Sequence, residues 1–219
     1  MSTVNLCFHG VGTPQRELEP GESVYWISEQ TFHDVLDLVA ERPHVQISFD
    51  DGNASDYRIG LPGLLARGLR ATFFPLAQRV DQAGSTSAAE LRELVAAGMA
   101  IGSHGMRHLP WRGMTDTDLD AELVTAREQL AEASGVGITE AACPLGRYDR
   151  RVLARLRGLG YQRVYTSDRA WARPGSWLQP RYSIHQDDTV AGMQSIFDDR
   201  PAFGSRVKSA ARVAAKRLR

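Results

Sequence analysis

Apolar positions along the chain follow two alternating periods. Val45, Ile47 and Phe49 alternate with Gln46 and Ser48, the period-two pattern of a half-buried strand. Strand-length runs occur at Val4–Phe8, Val45–Phe49, Ala71–Phe74, Ala100–Ser103, Ala141–Pro144 and Arg163–Ser167. Helical spacing fills the intervals. Phe32, Val35, Leu36, Val39 and Ala40 share one helix face, and Leu64-Leu65 close a segment stopped by Gly68. Ser87 with Glu90 forms a capping box ahead of Leu91, Leu94 and Val95, and Gly98 ends that helix. Thr115 opens a long helix through Leu119, Leu123, Ala126 and Leu130 to Gly135, and Val152, Leu153 and Leu156 belong to another that ends near Gly160. Strands alternating with helices predict parallel pairing. About seven such repeats suit a closed or distorted barrel, whose chemistry gathers at the carboxyl ends of its strands.

Those ends carry the reactive residues. Asp50, Asp51 and Gly52 close the run from Val45, and neighbouring strand residues point to opposite sides, so the two aspartates can take different roles. Ser103-His104-Gly105-Met106-Arg107-His108 follows another predicted strand. One carboxylate and two imidazoles can hold a metal ion, leaving the second carboxylate to act as a base. Asp-Gly by itself also marks hairpin turns, and histidines four apart arise by chance. Their joint placement at strand ends of one βα series points to a metal-dependent hydrolase. His9 and the turn Pro144-Leu145-Gly146 fall at strand ends too.

The composition narrows the setting. At 219 residues, with 42% hydrophobic and 24% charged residues, the chain reads as one globular domain with a substantial core. Zero formal net charge gives no general attraction to nucleic acid. No basic leader or long apolar segment stands at the N-terminus, so the expected location is cytoplasmic. Cys7 and Cys143 lie in apolar stretches and are expected as buried thiols. Charge is uneven only after Gly204, where Arg206, Lys208, Arg212, Lys216, Arg217 and Arg219 occur without an acid. We therefore divide the chain into a domain over residues 1–203 and a basic helix or tail over 204–219. A solvated helix against the barrel is one reading of that tail, and salt-sensitive contact with an anionic membrane is the other.

The two motifs resemble those of the polysaccharide deacetylase family, the NodB-homology carbohydrate esterases. Ser48-Phe49-Asp50-Asp51-Gly52 resembles its T/S-F-D-D-G, and His104 to His108 resembles its H-(S/T)-x-x-H, with Gly105 in place of Ser or Thr. The likeness runs from Leu6 to Thr189. It implies a distorted (β/α)7 barrel, metal ligation by Asp51, His104 and His108, and Asp50 as general base. Zinc suits two imidazoles and a carboxylate, and cobalt, nickel, manganese or iron also accept such ligands. Where many members have Arg-x-Pro-(Tyr/Phe)-Gly, this chain has Ala142-Cys143-Pro144-Leu145-Gly146. The arginine that steadies the base is thus missing, and Arg181 is the candidate replacement. Leu145 can still offer its backbone N–H to an oxyanion. Asp168 and Trp171 resemble the family's Asp/Trp motif, which places Trp171 among the candidate substrate-binding residues. His9 and His185 are rival catalytic acids.

The activity expected is hydrolysis of an N-acetyl or other N-acyl group on an amino sugar or glycan precursor. Two alternatives stay open: hydrolysis of a non-sugar C–N bond, such as an imide, formamide or acylated metabolite, and a catalytically silent sugar-binding module.

Overall fold

A computed structural model describes residues 2–198, so the basic segment 204–219 lies outside the described residues. The strands are β1 (Val4–Phe8), β2 (Gly10–Val11), β3 (Trp26–Ile27), β4 (Val45–Asp51), β5 (Ala71–Pro75), β6 (Ala100–Ile101), β7 (Glu140–Ala142), β8 (Arg163–Thr166), β9 (Leu178–Pro180) and β10 (Tyr182–Ser183). The α-helices are α1 (Glu29–Ala40), α2 (Leu61–Leu65), α3 (Ala88–Ala96), α4 (Asp116–Asp120), α5 (Ala126–Ser134), α6 (Arg150–Gly158) and α7 (Val190–Asp198). Among the described residues no helix is long and apolar enough to cross a membrane.

Every strand ladder among the described residues is parallel, with isolated antiparallel bridges at Thr3–Ala172 and Asn53–Ser85. One sheet has the order β10-β1-β4-β5-β6, another has the order β7-β8-β9, and β2 pairs with β3 apart from both. Two joints close the large sheets into a barrel. Ser103, just past β6, bridges Ala141 of β7, with the Ser103 N–H donating to the Glu140 carbonyl at 3.0 Å. Arg181 links β9, which pairs with β8, to β10, which pairs with β1. Counting β9 and β10 as one interrupted strand makes a distorted (β/α)7 barrel.

Strand alternation sorts the side chains. Val4, Leu6 and Phe8 of β1 and Val45, Ile47 and Phe49 of β4 join Phe32, Val35 and Leu36 of α1 in the main hydrophobic core. The alternate positions bond across the barrel interior. Asn5 donates to Gln179 at 3.0 Å, and Ser48 accepts from Arg181 at 3.0 Å. Phe74, Ala142 and Tyr165 form a separate small cluster. Both cysteines are buried, as their apolar neighbours predict.

The helix signals reappear as geometry. Ser87 and Glu90 make the capping box of α3, Thr115 caps α4, and Gly135 ends α5 with φ 76°. The predicted Thr115–Gly135 helix is interrupted by a π-helical turn over Ala121–Thr125. That turn has a bearing on the site.

Candidate active site

The carboxyl ends of β4 and β6 bring one carboxylate and two imidazoles together. Asp51 Oδ1 lies 3.6 Å from His104 Nε2 and 3.5 Å from His108 Nε2. All three residues are buried or nearly so. His104 Nδ1 is 2.9 Å from the Ala142 carbonyl, and His108 Nδ1 is 2.7 Å from Glu19 Oε2. Carbonyl and carboxylate oxygens only accept, so each Nδ1 donates and each ring turns Nε2 towards Asp51. Burial favours the neutral form at His104 and pushes its pKa down to about 4. Neither Asp51 oxygen has a hydrogen-bond partner among the described residues. One carboxylate oxygen with two imidazole Nε2 atoms at 3.5 and 3.6 Å suits a divalent cation, and Asp51, His104 and His108 would hold it.

Asp50 has a different environment from its neighbour. Arg181 grips it with two parallel bonds, Nη1 to Oδ1 at 2.6 Å and Nη2 to Oδ2 at 2.5 Å, with both side chains about 2% exposed. Burial pushes the Asp50 carboxyl up, but the guanidinium outweighs it and holds the group well below the usual carboxylate range. Arg181 also lies over the rings of Phe74 and Tyr165, its charged carbon 5.4 and 5.7 Å from their centres. Asp50 Oδ2 is 3.7 Å from His104 Nε2, at the edge of the three-residue cluster.

Backbone strain marks the same place. Asp51, His108 and Leu145 have φ of 77°, 57° and 54°, and they are three of the five described non-glycine residues in the left-handed region. Such conformations cost on the order of 1 kcal/mol or more each and persist where surrounding contacts impose them. Gly146 follows Leu145 at φ 60°, and a Cβ there would lie 2.0 Å from Ser167 Oγ. The turn therefore presents Leu145 outward, 54% exposed.

The other candidates divide. His9 has a ring nitrogen within 4.8 Å of an Asp50 oxygen and of Cys7 Sγ. Burial lowers its pKa, so the ring rests neutral. His185 stands farther off: its ring packs on Tyr25 at 4.6 Å, and Tyr25 packs on His9 at 4.7 Å. Tyr25 thus contacts both rivals. Trp171 requires a correction. It stacks on His44 with centroids 5.9 Å apart, beside Thr3 and Pro43, at the amino ends of β1 and β4. The seven residues of β4 span about 20 Å at ~3.3 Å each, so Trp171 sits at the far mouth of the barrel from Asp50 and Asp51. Asp168 is buried and accepts from Tyr148 Oη and Thr166 Oγ1, each at 2.7 Å.

Two carboxylates absent from the sequence reading support the histidine loop. Glu122, fully buried, accepts from the Met106 N–H at 2.7 Å and more distantly from the Arg107 N–H and Trp111 Nε1, both at 3.4 Å. It belongs to the π turn, a feature often found near functional sites. A Cβ on Gly105 would lie 2.4 Å from the Glu122 carboxylate, so glycine is required opposite it. A glutamate among the apolar positions Leu119, Leu123 and Ala126 was the available signal for Glu122. Glu19 lies in a loop without periodicity and had none.

This geometry can be set against known proteins. The family profile for polysaccharide deacetylases matches residues 38–164. The chain belongs to the polysaccharide deacetylase family. It is 27% identical over 165 residues to YxkH of Bacillus subtilis, which bears a provisional polysaccharide deacetylase name. That alignment covers 75% of this chain and 56% of YxkH, so this chain spans little more than half its relative. The Streptococcus pyogenes deacetylase PplD, solved in complex with acetate, superposes with a TM-score of 0.77 at 15% identity, over 90% of this chain and 99% of that one. IcaB from Ammonifex degensii gives 0.72 at 21% identity, over 89% and 96%. These likenesses show that this deacetylase family member shares their barrel.

Proposed function

We propose that this polysaccharide deacetylase family member hydrolyses an N-acetyl group on an amino sugar or glycan, using a divalent metal held by Asp51, His104 and His108. The supporting observation is the pairing of that three-residue cluster with a separate ionised carboxylate, Asp50. A binding module has no need of the second carboxylate. A divalent ion held there by Asp51, His104 and His108 would supply Lewis acidity to the acyl carbonyl and to water, and zinc suits the donor set.

The chain's own groups account for the proton movements. Asp50, kept ionised by Arg181, accepts a proton from the attacking water. Its depressed pKa makes it a poor resting place for that proton. Neutral His9, with a ring nitrogen within 4.8 Å of an Asp50 oxygen, takes the proton through one intervening water and delivers it to the departing amine, so His9 is the acid in this reading. The Leu145 backbone N–H supplies a donor to the tetrahedral oxyanion. Acetate release is the expected readout, the molecule with which the S. pyogenes deacetylase was solved.

The purified protein should release acetate from at least one N-acetylated amino sugar or oligosaccharide. Release should stop on chelation and return with added Zn²⁺ or Co²⁺. Release that survives exhaustive chelation would overturn the metal reading. Release from imides or formamides alone would move the substrate to a non-sugar C–N bond. His9→Ala should lower kcat by roughly 10²–10⁴, the range for loss of a general acid, while His185→Ala stays within a few-fold of wild type. The reverse ranking would transfer the acid role to His185.

A further inference from the structure

The two imidazoles facing Asp51 are steadied by different parts of the molecule. His104 Nδ1 bonds to the backbone of β7, a rigid strand. His108, itself in left-handed backbone, bonds to the side chain of Glu19, which lies between β2 and β3. That segment contains only a short 3₁₀ turn at Glu22–Tyr25 and is tied down by polar contacts. Arg16 donates Nε to Asn53 Oδ1 at 2.9 Å and Nη1 to Glu22 Oε2 at 3.0 Å. Glu22, 6% exposed, accepts the Glu19 N–H at 2.8 Å. Arg79 Nη2 pairs with the second Glu19 oxygen. Asn53, two residues beyond Asp51, anchors the other end by donating to the His9 carbonyl at 2.6 Å.

We propose that Glu19 is a positioning residue for His108, and that it couples the 12–25 segment to metal occupancy. The proposal rests on reading Asp51, His104 and His108 as the metal site. The Glu19 carboxylate accepts from His108 Nδ1 and so holds the ring with Nε2 directed at Asp51. Outer carboxylates of this kind change metal affinity by about 10–100-fold. Coupling is reciprocal: if an ordered segment strengthens metal binding, bound metal must order the segment by the same factor. His104 lacks this dependence, because its partner is a strand carbonyl.

The test uses the full chain with Zn²⁺ alone, in competition with a chromophoric chelator. Glu19→Ala should weaken Zn²⁺ binding about 10–100-fold. Glu19→Gln keeps an acceptor but loses the charge, and should fall between Glu19→Ala and wild type. In wild type, Zn²⁺ should slow amide hydrogen exchange across residues 12–25, and this protection should vanish in Glu19→Ala. If Glu19→Ala lowers the metal-free melting temperature, Glu19→Gln carries the comparison of affinities. Wild-type affinity within twofold in both variants, or Zn²⁺ protection of the segment retained without Glu19, would overturn the coupling. A wild-type protein that binds no Zn²⁺, or that binds it equally well as Asp51→Ala, would instead remove the metal site on which the proposal rests.

Discussion

Asp51→Ala, His104→Ala and His108→Ala should each strip the protein of tightly held divalent metal and abolish hydrolysis. Both imidazole Nε2 atoms lie within 3.6 Å of Asp51 Oδ1, and their Nδ1 atoms are held by Ala142 and Glu19. Removing one leaves two ligands. Metal content after dialysis, alongside acetate release, is the measurement, and full occupancy in any two variants would defeat the assignment. Saturating metal should raise the melting temperature of wild type and leave that of Asp51→Ala unchanged, because only wild type gains the stabilisation of a bound ligand, about 4 kcal/mol at a thousandfold excess over Kd. Thermal melts with and without metal read the difference.

The Asp50–Arg181 pair should show the next largest effect. Arg181→Met leaves a buried carboxylate without its counter-ion, and breaking a buried pair from one side costs about 3–5 kcal/mol. Asp50→Asn should keep metal binding nearly intact while lowering kcat roughly 10²–10⁴-fold, as for a lost general base. The double variant Asp50→Asn/Arg181→Met should recover much of the stability lost in Arg181→Met and none of the activity. Denaturant unfolding of the four proteins gives the coupling, and additive losses in the double variant would show that the pair does not act as a unit. Arg181→Lys should sit between wild type and Arg181→Met, since an ammonium cannot supply two parallel donors in a fixed fork.

Most of this machinery was legible in the linear sequence, for reasons that are local. Strand alternation and helix caps depend on near neighbours, so the six predicted strands, the Ser87–Glu90 box and the Gly135 stop all reappear. Asp50, Asp51, His104 and His108 are legible because parallel βα units send their strand ends to one mouth. β9 and β10 carried no such signal. They are three and two residues long, and their pairing is set by β8 and β1, which lie remote in sequence.

The chain by itself determined the barrel class, the core periodicity and the metal-ligating candidates, because each follows from side-chain spacing within a strand or helix. Only the tertiary structure decided which residues from distant segments meet them. Arg181 reaches Asp50 across 131 positions, and Glu19 reaches His108 across 89. Trp171, close to the last barrel strand in sequence, is carried to the opposite mouth beside His44. The order of strands round the barrel, together with the path of each loop, sets those distances. Neither is encoded in a local pattern, because a charged side chain in a loop reads the same whether it faces solvent or a metal ligand.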